Sequence, residues 1–246
     1  MRVRAVVAYD GTDYGGFQRQ VNASTVQEAL EAALAQVTQE TITVLAAGRT
    51  DAGVHAVGQV VAFDTGWRHA LSDLHRALNA VLLADIAVLE VEDAAADFHP
   101  RYDARSRCYR YSFYNAPVRW PLNRRYSLHV AVPLDVAAMQ RAAQYLVGEH
   151  DFATFGRSPQ ASKQSGVTVR RVLKAGWSKT SAWLTFDIEA NAFLYRMVRS
   201  IVGTLLQVGQ GRMSVDEFVA VLAACDRSLA GPTALPHGLC LMEVKY

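Results

Sequence analysis

The sequence predicts an α+β fold composed of two ferredoxin-like (RRM-like) β-α-β-β-α-β units, whose mainly antiparallel sheets flank a central cleft. The chain has 246 residues, of which 51% are hydrophobic, and it can therefore bury one large core or two small ones. Segments with strand periodicity and segments with helix periodicity follow each other in the same order in both halves. This repeat of element order predicts two domains, residues 1–104 and 105–246.

The first half contains the elements of one such unit. Arg2–Tyr9 alternates well enough for a strand. Ser24, followed by Gln27 three residues later, is typical of a capping box and predicts the start of a helix. The other predicted elements are strands at residues 41–47, 58–63 and 86–91 and a helix that Ser72 caps and that ends near residue 81.

The second half repeats the order with longer insertions. The predicted elements are a strand at 107–114, a helix from Asp135 to 146, paired strands at 169–177 and 182–190 with a turn at 178–180, a long apolar helix at 193–208, a short helix that Ser214 and Glu217 cap and that ends near 225, and a strand at 239–244. The polar stretch 156–166 is expected to be a mobile loop.

Composition argues against several classes of protein. No stretch approaches the roughly 18 uninterrupted apolar residues of a membrane span, and the N-terminal apolar run is too short for a secretory signal. The three cysteines are widely spaced, which predicts no disulfide framework and favours the reducing cytoplasm. The seven histidines form no HxxxH pair, and the phosphate-loop, dinucleotide and nucleophile-elbow motifs are absent. We therefore expect no metal, no cofactor and no membrane partner.

The net charge of +2 conceals a segregation of charge along the chain. Seven arginines and a single acidic residue, Asp103, lie between Arg101 and Arg125. Residues 157–174 contain five basic residues and no acidic one. Such segregation is how a nearly neutral protein presents a basic face to phosphate. On charge alone, two solvated loops balanced by acidic neighbours explain the pattern equally well.

One short segment, residues 48–53, combines features of a reactive loop. It reads Gly-Arg-Thr-Asp-Ala-Gly and lies between two predicted strands. The flanking glycines permit tight turns and the close approach of a ligand. Asp51 is the only acidic residue between Glu40 and Asp64, and Arg49 lies two residues away, which favours an ionised carboxylate suited to a nucleophile. Taken by itself, the segment is more typical of an ordinary Asx turn beside turn glycines.

Several further motifs occur in a fixed order along the chain. They are Tyr9-Asp10-Gly11 with Gly16-Phe17-Gln18-Arg19-Gln20, Thr25-Val26-Gln27-Glu28, Ala47 to His55 with Gly58-Gln59-Val60, Phe98-His99-Pro100-Arg101, Cys108-Tyr109-Arg110-Tyr111, Asn191-Ala192-Phe193-Leu194 and Met197 to Gly203. In this order they resemble the motifs of the tRNA pseudouridine synthase A family over nearly the whole chain. The segment around Asp51 is the most specific of them.

The resemblance implies a role for four residues. Asp51 matches the nucleophilic aspartate, and Arg199 matches the basic residue that is paired with it. Tyr109 matches the tyrosine that packs against the target base. Arg49 matches an arginine that occupies the space left by the flipped nucleotide.

Two of these roles have structural alternatives. Tyr109 alternates along one predicted strand with Tyr111 and Phe113, so burial in the core is expected for at least two of the three. Arg199 lies in a largely apolar helix, where it needs a partner, and Arg196 on the same helix is an alternative partner for the aspartate.

The resemblance also implies a reaction and its partners. A family member is a cytoplasmic homodimer that binds tRNA and, without a cofactor, isomerises uridine to pseudouridine at positions 38–40 of the anticodon stem-loop. The target base is flipped out, and Asp51 attacks either C1′ of the ribose or C6 of the uracil; the sequence does not distinguish between these two positions. A non-catalytic pair of RRM-like modules would show RNP-type aromatic residues, which residues 109–113 only loosely match. A glycosidase would show a second carboxylate near the first, and none is visible.

Overall fold

The computed structural model describes residues 1–158 and 167–246 as a mixed α+β protein whose strands pair mostly in antiparallel fashion. The ten strands of the described residues are β1 Arg2–Tyr9, β2 Leu45–Ala46, β3 His55–Asp64, β4 Ile86–Ala94, β5 Ser106–Asn115, β6 Leu128–Val130, β7 Gly148–Asp151, β8 Val169–Thr180, β9 Trp183–Ala190 and β10 Leu239–Lys245. Their five α-helices are α1 Val26–Thr38, α2 Leu71–Val81, α3 Val136–Gln144, α4 Met197–Gly209 and α5 Val215–Ala223.

The chain divides into two compact units. The first unit comprises residues 1–105 and 240–246, and the second comprises residues 106–239. The final strand was expected in the second domain. In the structure β10 instead pairs in parallel with β3 of the first unit, with Cys240 opposite His55 and Leu241 opposite Ala56.

The first unit is built around β1, which is the central strand of its sheet. β4 and β3 flank β1 in antiparallel register, and β2 pairs antiparallel with the far end of β3. Every second residue of β1 is buried, including Val3, Val7 and Tyr9, so the predicted alternation of this strand is confirmed. The strand predicted at 41–47 is reduced to the two residues of β2.

The second unit contains an antiparallel sheet in the order β5-β9-β8-β7, and the short strand β6 pairs in parallel with β5. Helix α3 packs against β8 and against α4 and α5. The predicted turn at 178–180 is wrong, because these residues continue β8. The chain instead reverses after Thr180, which pairs with Trp183, and Ser181 takes a φ of 57° there.

Helix starts were predicted correctly in two cases. Asp135 caps α3 by accepting a hydrogen bond from the Ala138 backbone N–H. Ser214 and Glu217 form the predicted capping box at the start of α5, in which each side chain accepts a hydrogen bond from the backbone N–H of the other. Both helices therefore begin where a polar side chain satisfies an otherwise unpaired backbone donor.

Three other predicted helix starts are wrong. Thr25, not Ser24, caps α1 by accepting a hydrogen bond from Glu28 N. Helix α2 begins at Leu71 after Ala70, and no side chain caps it. Helix α4 begins at Met197 instead of Phe193. Arg196 precedes it with a φ of 60°, outside the right-handed helical region.

Two remaining expectations concern a loop and a membrane. The stretch 156–166, expected to be mobile, extends into residues 159–166, which lie outside the described residues. Among the helices of the described residues, none combines the length and the apolar character that crossing a bilayer requires.

The capping box of α5 gives a test of these assignments. Ser214→Ala is expected to lower the free energy of unfolding by about 1 kcal/mol, because the Glu217 N–H loses its acceptor. Ser72→Ala is the matched control, since Ser72 lies exposed inside α2 and caps nothing. Urea denaturation of both variants provides the measurement. Equal losses from the two substitutions would contradict the assignment.

Candidate active site

The loop between β2 and β3 carries Asp51, and its backbone is fixed on both sides of that residue. On one side, Gln59 Nε2 donates a hydrogen bond to the Gly48 carbonyl oxygen at 2.8 Å. On the other side, Val54 N donates to the Asp51 carbonyl oxygen at 3.1 Å, and Gly53 takes a φ of 74°. Asp51 is half-buried, whereas Arg49 on the same loop is exposed. The carboxylate is thus carried by a short loop of defined backbone.

A second segment, residues 10–17, lies against this loop. Phe17 N donates to the Thr50 carbonyl oxygen at 3.1 Å, and Gly53 N donates to the Tyr14 carbonyl oxygen at 3.4 Å. Gly16 has a φ of 106°, and a Cβ at Gly16 would lie 2.7 Å from the Thr50 carbonyl oxygen. Only glycine permits this backbone conformation together with so close an approach.

A Cβ at a second glycine of this segment would also collide with main chain. At Gly11 it would lie 2.0 Å from the Val54 carbonyl oxygen, well inside contact distance. The glycines of the Tyr-Asp-Gly and Gly-Phe-Gln motifs therefore share one structural purpose. They let residues 10–17 pack directly on the backbone of the Asp51 loop.

A group of buried side chains lies beneath the loop. The Tyr9 hydroxyl and Thr50 Oγ1 are 2.8 Å apart and hydrogen-bonded. Gln59 Nε2, which bonds Gly48, is also 3.5 Å from the Tyr9 hydroxyl. Sequence reasoning assigned no role to these three residues. Each lies within a quoted motif, but their pairing depends on the register between β1 and β3.

Polar side chains also connect residues 10–17 to their neighbours: His55 contacts residues 10 and 11, and Asp85 contacts Tyr14. His55 Nδ1 lies 3.1 Å from Gly11 N and 3.1 Å from Asp10 Oδ1. The Tyr14 hydroxyl donates to Asp85 Oδ1 at 2.9 Å. Burial, and then the hydrogen bond and charge of Asp85, raise the pKa of Tyr14, so this phenol stays a neutral donor.

In the second unit, Tyr109 lies on β5 beside a second ring. It is 9% exposed, and its ring meets that of Phe193 edge to face with centroids 5.0 Å apart. Tyr111 and Phe113, on the same face of the strand, are fully buried. The expectation that at least two of these three side chains lie in the core is therefore confirmed.

Arg199 lies in the first turn of α4 and is half-buried. Its Nε donates to the Ala234 carbonyl oxygen at 2.8 Å, and Ala234 N donates back to the Arg199 carbonyl oxygen at 3.0 Å. A Cβ at Gly203, one turn further along α4, would lie 1.7 Å from the Pro232 carbonyl oxygen. Close contact with the loop 231–235 therefore fixes the stem of the Arg199 side chain.

Arg196, the alternative partner considered for the aspartate, has a different setting. It is exposed at the N-cap of α4, and its guanidinium carbon lies 4.9 Å from the centre of the Tyr195 ring. This cation–π contact gives the guanidinium a partner on its own segment. Of the predicted site residues, Arg49 and Asp51 share a loop of the first unit, and Tyr109 and Arg199 belong to the second.

Within residues 1–158 and 167–246, no three His, Cys, Asp or Glu side chains are grouped so that they could hold a metal ion. The polar groups that surround the Asp51 loop are hydroxyls, amides and single carboxylates, and they bond one another or the backbone. The hydrogen bonds shown here therefore fix the backbone of the Asp51 loop and the side chain of Thr50.

Known proteins resemble the chain along its full length. The family described as tRNA pseudouridine synthase matches residues 5–103 and 142–246. A protein named tRNA pseudouridine synthase A from Brevibacillus brevis is 48% identical over 100% of this chain and 99% of the relative. Proteins of the same name from Moorella thermoacetica and Geotalea uraniireducens are 47% and 44% identical, covering 99% and 100% of this chain and 99% of each relative.

These matches identify the chain by class. It belongs to the tRNA pseudouridine synthase family, a family of isomerases. The predicted resemblance to the tRNA pseudouridine synthase A family, and the prediction that the chain is an enzyme, are confirmed.

The close approach at Gly16 makes a stability prediction. Gly16→Ala is expected to lower the free energy of unfolding by more than about 2 kcal/mol, since backbone strain adds to a collision with Thr50. Gly211→Ala is the matched control. Gly211 has a φ of 69°, and a Cβ added there would have no atom within 4 Å, so only strain of about 1 kcal/mol is expected. Thermal unfolding of both variants measures the difference, and equal midpoints would rule out the collision.

Proposed function

We propose that this chain isomerises uridine to pseudouridine at positions 38–40 of the tRNA anticodon stem-loop, with Asp51 as the nucleophile. The observation that carries the proposal is the Asp51 loop. It holds a half-buried carboxylate on a backbone fixed from both sides, in the most specific motif of a family to which the chain belongs. A nucleophile has to be held in a fixed position relative to the atom that it attacks.

The reaction exchanges one glycosidic bond for another. The bond from N1 of uracil to C1′ breaks, the base turns, and C5 bonds to C1′, while N1 gains the proton that C5 loses. The reaction has no net oxidation and transfers no external group. A carboxylate that attacks either C1′ or C6 and later leaves is sufficient to allow the base to turn, and Asp51 is assigned this role.

Tyr109 is proposed to receive the flipped base. Removing a base from its stack costs on the order of a few kcal/mol. Stacking on one aromatic ring returns roughly 1–3 kcal/mol. The Tyr109 ring is already held by Phe193, so it loses little side-chain freedom when a base packs against it.

The two arginines of the site are proposed to have different roles, one electrostatic and one steric. Arg199 is assigned as the basic partner of the nucleophile. Its Nε bond to the Ala234 carbonyl oxygen holds the side chain in place. Arg49 is assigned to the space left by the flipped nucleotide, and its exposure on the Asp51 loop is compatible with that role.

A surface of the second unit is proposed to bind the tRNA backbone. We call it the 117–126 segment. It carries Arg119, Arg124 and Arg125, all exposed, and no acidic residue occurs between Asp103 and Asp135. Its aromatic side chains, at positions 120 and 126, are about half exposed (50% and 49%), and partly exposed rings of this kind suit stacking on bases.

Other arginines of the basic stretches are buried or form bonds within the protein itself. Arg110 forms a two-point ion pair with Asp187, and Arg107 is buried and donates to the Asn191 carbonyl oxygen. Arg170 is also buried, and burial lowers the pKa of its guanidinium. The basic surface proposed for tRNA is therefore smaller than the count of arginines suggests.

The finer architecture and assembly belong to the same proposal. The first unit has the element order β-α-β-β-α-β and the strand order β4-β1-β3-β2, which supports a ferredoxin-like fold. In the second unit, β5, α3, β8, β9 and α4 follow the same order, with β9 between β5 and β8. A cytoplasmic homodimer is proposed from the resemblance.

Replacing the nucleophile tests the reaction. Asp51→Asn is expected to abolish pseudouridine formation while it keeps most of the affinity for tRNA, because the side-chain shape is retained and the nucleophile is lost. Unmodified tRNA is incubated with each variant, and pseudouridine is mapped by sequencing at positions 38–40. Asp93→Asn, at an exposed position of β4, is the matched control and should behave as the unchanged protein.

Each alternative outcome has a distinct meaning. Product from Asp51→Asn at the unchanged rate would remove this residue from the chemistry. Tight tRNA binding without product from the unchanged protein would favour a non-catalytic RNA-binding module. Product at other uridines of the tRNA would retain the reaction and overturn the proposed positions.

The 117–126 segment makes a second prediction about tRNA. The double variant Arg119→Gln, Arg124→Gln is expected to reduce the slope of log affinity against log salt concentration by about 2, because roughly one counterion is released per phosphate contact. Arg141→Gln with Arg212→Gln, two exposed arginines of the same unit, is the matched control. Filter binding over a salt series gives the slopes. An unchanged slope in the first variant would exclude this surface from the tRNA contact.

A further inference from the structure

We infer that Tyr9, Thr50 and Gln59 are positioning residues that hold Asp51 in its reactive place. The inference rests on the proposed function, because these side chains act through Asp51. None of them was assigned a role by the resemblance. Their place beneath the loop, and their bonds to the loop residues that lead into the nucleophile, support this role.

The three side chains are shielded from water, and Tyr9 is hydrogen-bonded to each of the other two. Tyr9 is 4% exposed, Thr50 is 7% exposed and Gln59 is fully buried. The Tyr9 hydroxyl is 2.8 Å from Thr50 Oγ1 and 3.5 Å from Gln59 Nε2. In such a dry environment a hydrogen bond orients its partners strongly, because water does not compete for them.

These bonds reach the loop at two points before the nucleophile. Gln59 Nε2 holds the Gly48 carbonyl oxygen at 2.8 Å, three residues before Asp51. Tyr9 holds the side chain of Thr50, the residue immediately before Asp51. The Thr50 carbonyl oxygen accepts from Phe17 N, so both the side chain and the backbone of that residue are fixed. These bonds restrict the backbone that leads into Asp51.

The amide of Gln59 shows that this arrangement is not optimised for stability alone. Its Oε1 atom is buried and has no hydrogen-bond partner within the described residues. Rotating the amide would satisfy nothing, because it would place Oε1 against the Gly48 carbonyl oxygen, another acceptor. A buried acceptor without a partner lowers stability. The unpaired oxygen is explained if the Gln59 amide is needed for its Nε2 donor, which holds the Gly48 carbonyl oxygen.

Positioning of this kind affects the chemical step more than binding. A displacement of about 1 Å at a reacting group is able to reduce a rate by about 100-fold. The surface proposed for tRNA binding belongs to the second unit, so affinity should change little. A residue that only stabilises the fold would lower the unfolding midpoint and leave the rate constant of the folded protein unchanged.

Removing the Tyr9 hydroxyl tests the inference. Tyr9→Phe is expected to reduce the single-turnover rate of pseudouridine formation by roughly 10- to 100-fold, with the Kd for unmodified tRNA changed by less than about twofold. The matched control is Tyr246→Phe. The Tyr246 hydroxyl donates to the Pro100 carbonyl oxygen at 2.8 Å in the same unit, and its loss should leave the rate unchanged. All rates are measured well below the unfolding midpoint of each variant.

Substitutions at Thr50 provide a second, independent measurement. Thr50→Ser keeps the hydroxyl and should keep most of the rate, whereas Thr50→Val keeps the shape and should lose rate as Tyr9→Phe does. The double variant Tyr9→Phe, Thr50→Val should be no slower than the slower single variant, because both remove the same hydrogen bond. If Tyr9→Phe does not fold, the comparison at Thr50 decides.

The outcomes separate this inference from the proposed function. If the unchanged protein forms pseudouridine, Asp51→Asn does not, and Tyr9→Phe and Thr50→Val keep the full single-turnover rate, the inference is wrong and the proposed function stands. A larger rise in Kd than fall in rate would also overturn it. If the unchanged protein forms no pseudouridine, the proposed function itself fails.

Discussion

Two main-chain segments of the first unit approach each other at Gly11 and Gly16, and the position of Asp51 depends on that approach. Residues 10–17 lie on the backbone of the Asp51 loop so closely that a single added Cβ would collide with a carbonyl oxygen at either glycine. The hydrogen bonds from Phe17 and to Tyr14 exist only because the glycines allow this distance. Side-chain bonds then refine a position that the main chain has already restricted.

In the second unit, a glycine likewise permits close main-chain contact near Arg199. Gly203 lets α4 lie against Pro232, and a Cβ there would meet a carbonyl oxygen at 1.7 Å. The reciprocal bonds between Arg199 and Ala234 form one turn away. Tyr111 donates to the neighbouring Leu235 carbonyl oxygen at 2.7 Å. In both units a glycine that permits close backbone contact accompanies the placement of a charged side chain.

Elements whose formation depends on local sequence were the easiest to predict. Alternation in β1 directly reflects which side chains are buried, and the caps at Asp135 and Ser214 are polar residues placed next to apolar helices. The cap of α1 was misplaced because Ser24 and Thr25 are adjacent and both have the required chemistry. The start of α4 depends on the left-handed backbone conformation of Arg196, and no residue pattern in the sequence predicts that conformation.

The candidate site also combines features that are visible in the local sequence with contacts that are not. An isolated acidic residue between glycines is visible in the sequence, but only the resemblance to the family implies that Asp51 is the nucleophile. Tyr9 and Thr50 are separated by 41 residues and Tyr9 and Gln59 by 50, so no spacing rule connects them. Their contacts follow from the antiparallel register of β1 and β3, in which Val7 lies opposite Gln59 and Tyr9 opposite Ala56. Long-range register is a property of the folded sheet, not of any local pattern.

The return of β10 to the first unit has a consequence for synthesis on the ribosome. The edge of β3 that accepts Cys240 and Leu241 is made early, but its partner emerges only after the whole of residues 106–239. Lys245 and Tyr246 complete the same unit by bonding Arg105 and Pro100. Until then the nascent first unit exposes an unpaired edge beside His55, at the end of the nucleophile loop. Translation speed through the second unit therefore sets how long this edge stays open to non-native pairing.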